Sequence, residues 1–202
     1  MVWTIILAAG ESKRMGRPKM LLPWENSTIL ETVVWKALSS RSEGVLVVLG
    51  ADRNKIERLI WRAPVRSVYN EDFAKGMLSS VRTGLKNIPA KAEAAVIALG
   101  DQPHIPQESF DLLIDSYKTS EKGILLPTFR GRRGHPILID MKYREEIFQM
   151  EESLGLKGIL RAHPDDILEV PINDPGILKD IDTAEDYNSM LSGDSENEKK
   201  SS

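Results

Sequence analysis

Four cations follow a lone glycine in the segment LAAGESKRMGRPK, Leu7 to Lys19. Ala8, Ala9 and Gly10 close an apolar run, and residues this small let backbone N–H groups approach a ligand. Lys13, Arg14, Arg17 and Lys19 then supply the positive charge that a polyphosphate requires. Neither common phosphate loop fits. A Walker A loop reads G-x4-G-K-[ST], whereas five residues separate Gly10 from Gly16 and Met20 follows Lys19. A dinucleotide fingerprint reads G-x-G-x-x-G at the opening of a helix, whereas Gly10 stands alone and Pro18 interrupts. Small-residue backbone followed by flexible cations predicts a triphosphate loop of another kind.

A triphosphate normally arrives with Mg²⁺, which takes one or two carboxylates and completes its shell with water and phosphate oxygens. Asp101, in LGDQP at the end of an apolar run, is the best-placed carboxylate; the competing role is a helix cap or a turn before Pro103. A second carboxylate is available in DIDTAEDY (180–187), with Asp182 favoured over Asp180, although Asp182 or Thr183 also suits a helix N-cap. In the second half, GRRGHPILI (131–139) joins two glycines, two arginines and a His-Pro pair, a composition suited to a loop that admits an anion. Arg132 and Arg133 fit a solvated surface equally well.

The elements that must position these groups alternate. WTIIL (3–7), GVLVVLG (44–50), Val65–Tyr69 and AAVIAL (94–99) read as strands, the longer ones as continuous apolar runs of the sort buried on both faces. Between them lie helical patterns: Thr28 with Glu31 as a capping box before Leu30, Val33, Val34, Ala37 and Leu38; Ile56 to Ala63; Leu78, Val81 and Leu85 after Gly76; Phe110 to Tyr117. Further apolar runs fall at 124–129, 135–139 and 167–172, with helices near 142–150 and 156–162 and a last one from Thr183. The pattern predicts an α/β, Rossmann-like, three-layer fold around a mostly parallel sheet. Ligands of such sheets bind beyond the carboxyl ends of the strands, where both LAAGESKRMGRPK and LGDQP fall. Residues 1–191 are expected to form one domain. SGDSENEKKSS (192–202) has nothing to bury and is expected to be a disordered polar tail.

Composition narrows the function. The chain has 202 residues, 41% hydrophobic and 28% charged, with a net charge of −3 and no basic surplus to attract nucleic acid. Zero cysteines remove thiolate chemistry, and three scattered histidines disfavour a zinc site. No window is long and apolar enough to span a bilayer, and MVWTIILAAG lacks the basic start and cleavage site of a signal peptide. A cytoplasmic protein is expected, with no membrane partner.

The pattern L-A-A-G-x-S-x-R-M-G-x-x-K-x-L-L-P, together with LGDQP, R-x-G-H-P and D-I-D-T-x-E-D, resembles the MobA-like nucleotidyltransferase family. The likeness is closest to its cytidylyltransferase branch and extends to about residue 190. The resemblance implies transfer of a nucleotidyl group from an NTP to a phosphate, with release of pyrophosphate. Leu7, Ala8, Ala9 and Gly10 would border base and ribose, Arg14 and Lys19 would hold the triphosphate, and Gly76, Ser79 and Ser80 would reach the nucleotide. Asp101 and Asp182 would hold Mg²⁺ (or Mn²⁺). Gln102, Pro103, Gly134, His135 and Pro136 would face the acceptor, with His135 equally able to serve as a strand cap. Ala9, where guanylyltransferases usually carry glycine, favours CTP over GTP. The implied acceptor is the terminal phosphate of Mo-molybdopterin, and a molybdenum hydroxylase would receive the product. Guanylyl transfer, a sugar- or polyol-phosphate acceptor, and a non-catalytic cofactor carrier remain the alternatives.

Overall fold

The computed structural model describes residues 1–198, with side chains described through Leu191. In chain order its elements are β1 (Val2–Ala8), β2 (Pro23–Trp24), β3 (Ser27–Thr28), α1 (Ile29–Ser39), β4 (Val45–Leu49), α2 (Arg53–Ile60), β5 (Arg66–Tyr69) and α3 (Met77–Asn87). There follow β6 (Ala94–Leu99), α4 (Gln107–Thr119), β7 (Ile124–Phe129), β8 (Arg132–Arg133), β9 (Ile137–Asp140), α5 (Arg144–Gln149), α6 (Lys157–Ala162), β10 (Ile167–Pro171) and α7 (Ala184–Glu198).

The main sheet runs β10-β7-β9-β6-β1-β4-β5, with β8 folded back on β7, while β2 and β3 form a separate hairpin. Strands β5, β4, β1 and β6 are parallel throughout. The continuous apolar runs are explained by burial on both faces: in β1, Val2, Ile6 and Ala8 join one core while Trp3, Ile5 and Leu7 join the other. Helices α1, α2 and α4 cover the first face through Val33, Val34, Ile56, Phe110 and Ile114. Helices α3, α5 and α6 cover the second through Leu78, Val81, Leu85, Ile147 and Ile159. The three layers expected from the sequence are therefore present.

The second half departs from a plain parallel order. The chain leaves β7 through β8 and a tight turn at Arg130 and Gly131, both at positive φ, and returns antiparallel as β9 between β7 and β6. The parallel order resumes only with β10 beside β7. A third, small core packs Met15, Leu22, Trp24, Ile29, Ile181 and Tyr187 together, tying the first loop to the segment before α7. The Tyr187 hydroxyl donates to the Pro23 carbonyl at 2.6 Å and fastens the same junction.

Helix α1 is capped by Thr28, whose hydroxyl accepts from the Glu31 amide at 3.3 Å. The Glu31 carboxylate accepts from the hydroxyls of Thr28 and Ser27. At the other end of the chain, α7 stays helical through Glu198, into the stretch expected to be a polar tail. Helical hydrogen bonding propagates beyond the last apolar contact once a helix is nucleated. The rest of that expectation, 199–202, lies outside the described residues.

Strand β1 is joined in sequence to β4 on one side and lies against β6 on the other, so connections diverge at its carboxyl end and leave a crevice there. Close packing shapes its floor: a Cβ on Gly50, after β4, would lie within 2.7 Å of the Ala9 Cα and collide with the Ala9 carbonyl. Gly50→Ala is therefore expected to cost about 1–3 kcal/mol. Urea unfolding should show this as a lower midpoint with an unchanged slope.

Candidate active site

The first loop is pinned by its apolar residues and presents its charged ones. Met15 is buried in the small third core and Met20 in the core beneath α1. Ser12 sits at φ 50°, a left-handed conformation that a non-glycine residue adopts only when its surroundings enforce it. Here its carbonyl accepts from the Met15 amide at 3.0 Å and its hydroxyl from the Lys19 amide at 3.2 Å, closing the loop on itself. The amides of Gly10, Glu11, Ser12 and Lys13 make no turn or cap hydrogen bond among the described residues. They remain available as donors to phosphate.

Lys19 is the centre of the arrangement. Its side chain is only 11% exposed, and its ammonium donates to the Asp101 carboxylate, to the Ile181 carbonyl at 3.0 Å and to Asp182 at 3.4 Å. Three acceptors match the three protons of an ammonium, which is what makes near-burial of its charge tolerable. Arg14, largely exposed, donates to the other oxygen of Asp182 at 2.9 Å. Two carboxylates from distant parts of the chain thus converge on one cation. Asp180 turns away and accepts from the Gln102 amide instead.

Asp182 is released for this position because other residues cap α7. The Thr183 hydroxyl accepts from the Asp186 amide at 3.1 Å, and the Asp186 carboxylate accepts from the amides of Asp182 and Thr183. Hydrogen bonds from the Thr183 hydroxyl and amide hold Asp186 below the usual carboxylate range. Two oxygen donors at the end of a crevice are the set that a hard divalent cation takes when phosphate and water complete its shell. Among the described residues no cluster of three or more His, Cys, Asp or Glu side chains could hold a metal by itself. The remaining ligands would have to come with the substrate.

The crevice is a cleft of about 400 Å³ whose wall has a charged and an uncharged part. Lys13, Arg14, Lys19, Asp101 and Asp182 supply the charged side chains; the strand ends and the start of α3 supply the uncharged part, through Leu7, Ala9, Gly10, Leu99, Phe73, Ala74, Gly76, Met77 and Ser80. Gly76 sits at φ 137°, a backbone that side-chain-bearing residues avoid, so the close turn into α3 requires glycine. A Cβ on Gly10 would meet nothing within 4 Å, so that edge is open to a ligand.

Several expected residues support the cleft rather than line it. Ala8 is buried in the core beneath α1, and the Pro103 carbonyl accepts the Lys36 ammonium. Ser79 is buried; its hydroxyl accepts from the Asn70 amide at 2.8 Å and lies against the carbonyls of Asp72 and Gly76. Sequence reasoning missed Asn70. This residue, 3% exposed, also donates to the Ser80 hydroxyl at 3.0 Å and accepts from the Asp72 amide at 3.0 Å. The legible signal was Asn70-Glu71-Asp72 directly after a strand, the spacing of an Asx-turn.

The residues expected on the acceptor side gather beyond Asp101. The buried Gln102 amide donates to the Lys179 carbonyl at 3.1 Å and to Asp180. Gly134 donates to the Pro127 carbonyl and leaves no room for a side chain against the Ile177 carbonyl, which accepts from the His135 amide at 3.0 Å. A cis peptide joins His135 to the buried Pro136. Burial lowers the His135 pKa against the pull of Asp180 and Asp101. Its Nδ1 has no partner among the described residues. Arg132 and Arg133 are exposed on β8, and Arg133 pairs with Glu169 at 2.8 Å.

The model of the MobA-like NTP transferase domain matches residues 4–167. The chain belongs to the MobA-like NTP transferase family. Its sequence is 32% identical to the molybdenum cofactor cytidylyltransferase of Escherichia coli (strain K12), over 91% of this chain and 92% of the relative. It is 31% identical to the nicotine blue oxidoreductase of Paenarthrobacter nicotinovorans, over 93% and 95% respectively. Among solved structures, Rv0371c from Mycobacterium tuberculosis H37Rv shares the fold with a TM-score of 0.83, at 23% identity over 95% of this chain and 97% of that one. Rv0371c has also been solved in complex with manganese. Because one relative is named for a redox reaction, the charged part of the cleft, and not overall similarity, carries the case for nucleotidyl transfer by this member.

The wall formed by Gly76 to Ser80 depends on Asn70, whose removal leaves buried hydroxyls without their donor. Asn70→Ala is expected to cost about 1–3 kcal/mol. Calorimetry should record a correspondingly lower melting temperature.

Proposed function

We propose that this MobA-like transferase moves CMP from CTP to the terminal phosphate of Mo-molybdopterin, forming molybdopterin cytosine dinucleotide and pyrophosphate. The observation that carries the reading is the convergence of Lys19, Asp101 and Asp182 at the end of a cleft with unengaged backbone amides. The E. coli relative supports the acceptor and the base, and Ala9 supports CTP. The first half of the chain takes the NTP and the second half the acceptor, with Gln102, Gly134 and His135 on the acceptor's path. A molybdenum hydroxylase would receive the product, in the cytoplasm.

In the reaction an acceptor phosphate oxygen attacks the α-phosphorus in line. The bond from the α-phosphorus to the bridging oxygen breaks, and pyrophosphate leaves with the electron pair. The acceptor oxygen is already ionised near neutral pH, so no side chain has to remove a proton. Lys19 and Arg14 neutralise charge that builds on the departing phosphates, and the amides of Gly10 to Lys13 orient them. Asp101 and Asp182 fit a divalent cation, Mg²⁺ or Mn²⁺, whose chemistry is to neutralise and align phosphate oxygens.

Pyrophosphate release with CTP, GTP and ATP, each with molybdopterin, tests the reading directly. CTP with molybdopterin should turn over; preference for GTP would reassign the base, and binding without turnover would indicate a carrier. Lys19→Ala and Asp101→Asn are each expected to lower kcat by about 10²–10³-fold, as loss of a preorganised charge does. Unchanged turnover in Asp101→Asn would remove Asp101 from the machinery. The rate should rise as the acceptor phosphate loses its second proton near pH ~6 and then level off. A second ionisation on the same limb would reveal an enzyme base.

A further inference from the structure

Glu152 lies outside the cleft wall, yet its carboxylate grips the part of the chain that forms much of the uncharged wall of the cleft. Its Oε1 accepts from the Ser79 amide at 2.7 Å, in the first turn of α3. Its Oε2 accepts from Arg82, one turn further along the same helix, at 2.9 Å. A Cβ on Gly76 would stand 3.2 Å from Oε1, so the carboxylate lies directly beneath the turn that enters the cleft. Arg82 is held in turn, donating to the Ile147 carbonyl at 2.9 Å and to the Met150 carbonyl. The segment 147–152 and the start of α3 are therefore locked together through one acid and one base.

No side chain within α3 caps its N-terminus: the N-cap is Gly76, which has none to offer. The free amides and positive end of a helix attract an anion. Here one of those amides, that of Ser79, is engaged by Glu152, contributed from the second half of the chain and outside the cleft lining. The wall of Phe73, Gly76, Met77 and Ser80 carries no charged side chain, so it suits the uncharged base and ribose, while the cations of the first loop suit the triphosphate.

We propose that Glu152, braced by Arg82, is the positioning residue that sets the base-and-ribose wall of the nucleotide site. The proposal rests on reading this cleft as the NTP site. It makes nucleotide affinity depend on a residue that touches no nucleotide.

The test compares wild type with Glu152→Ala, Glu152→Gln and Arg82→Ala in three measurements. Calorimetric titration with CTP and Mg²⁺ should show about 10-fold weaker binding in Glu152→Ala and Arg82→Ala, the effect of losing a charge-assisted hydrogen bond. Glu152→Gln retains an acceptor for Ser79 but loses the ionic bond to Arg82, and should fall between. Pyrophosphate, which has no base or ribose, should inhibit all variants within about 2-fold of wild type, and kcat at saturating CTP should stay within about 2-fold while KM rises. Amide hydrogen exchange should quicken at Gly76 to Ser80 in Glu152→Ala, with the sheet unaffected.

Unchanged CTP affinity, or pyrophosphate weakened as much as CTP, would overturn the proposal. If Glu152→Ala fails to fold, the same two comparisons are made with Glu152→Gln. If wild type binds GTP in place of CTP, the choice of base fails and the comparison is read with GTP. If it binds no nucleotide, the functional reading fails, while unchanged exchange at Gly76 to Ser80 would separately refute the role of Glu152.

Discussion

The structure turns on one shared proton donor. The Lys19 ammonium bonds a carboxylate at the end of β6, a carbonyl before α7 and a second carboxylate beside it. A nearly buried ammonium is destabilising without a full set of acceptors, and each of these carboxylates would repel the other without a cation between them. The loop after β1, the end of β6 and the segment leading into α7 therefore satisfy one another's electrostatics. The small core around Trp24, Ile181 and Tyr187 fixes the meeting point, because Ile181 is fully buried one residue before Asp182. Burying such a side chain contributes about 1.5–3 kcal/mol. That is enough to hold an otherwise exposed carboxylate in place.

Around this centre the cleft wall has a charged and an uncharged part. The cations and acids follow β1 and β6, and the uncharged wall is completed where α3 begins. The two parts are stabilised differently: the charged part by ion pairs that a substrate can rearrange, the wall by buried amide and hydroxyl contacts through Asn70. The first suits groups whose charge is redistributed during reaction. The second suits a part of the ligand that only has to be held.

Much of this was legible in the sequence. β1, β4 and β6 are apolar runs with no polar face, and a strand buried on both sides gives no other pattern; β6 lies where AAVIAL predicted it. Lys19 and Asp101 stood out because charged residues directly after such runs fall at the ligand-binding edge of an α/β sheet. The reversal of β9 was not legible. Ile137, Leu138 and Ile139 are buried just as a parallel strand would be, and apolar content does not record direction. The β2–β3 hairpin is too short to leave a period, and its turn uses Glu25 at φ 49°, where glycine or asparagine is the usual marker. Glu152 and Arg82 were hidden for another reason. They look like surface charges, and only the fold carries the carboxylate of one segment to the helix start of another.

Asp182 stands near the end of the described chain, whereas Lys19 stands near its beginning, and this separation has a temporal meaning. A chain emerging from the ribosome presents Lys19 first, then Asp101, and Asp182 last of the three. Domains fold largely as they are synthesised. The first loop and the parallel strands can thus assemble around Lys19 and Asp101 while the second carboxylate is still inside the exit tunnel. Asp182 can meet the ammonium only after its segment has emerged, and the Tyr187 hydroxyl on the Pro23 carbonyl fastens that junction. The order of synthesis keeps the charged part of the cleft incomplete until the segment that carries Asp182 has emerged.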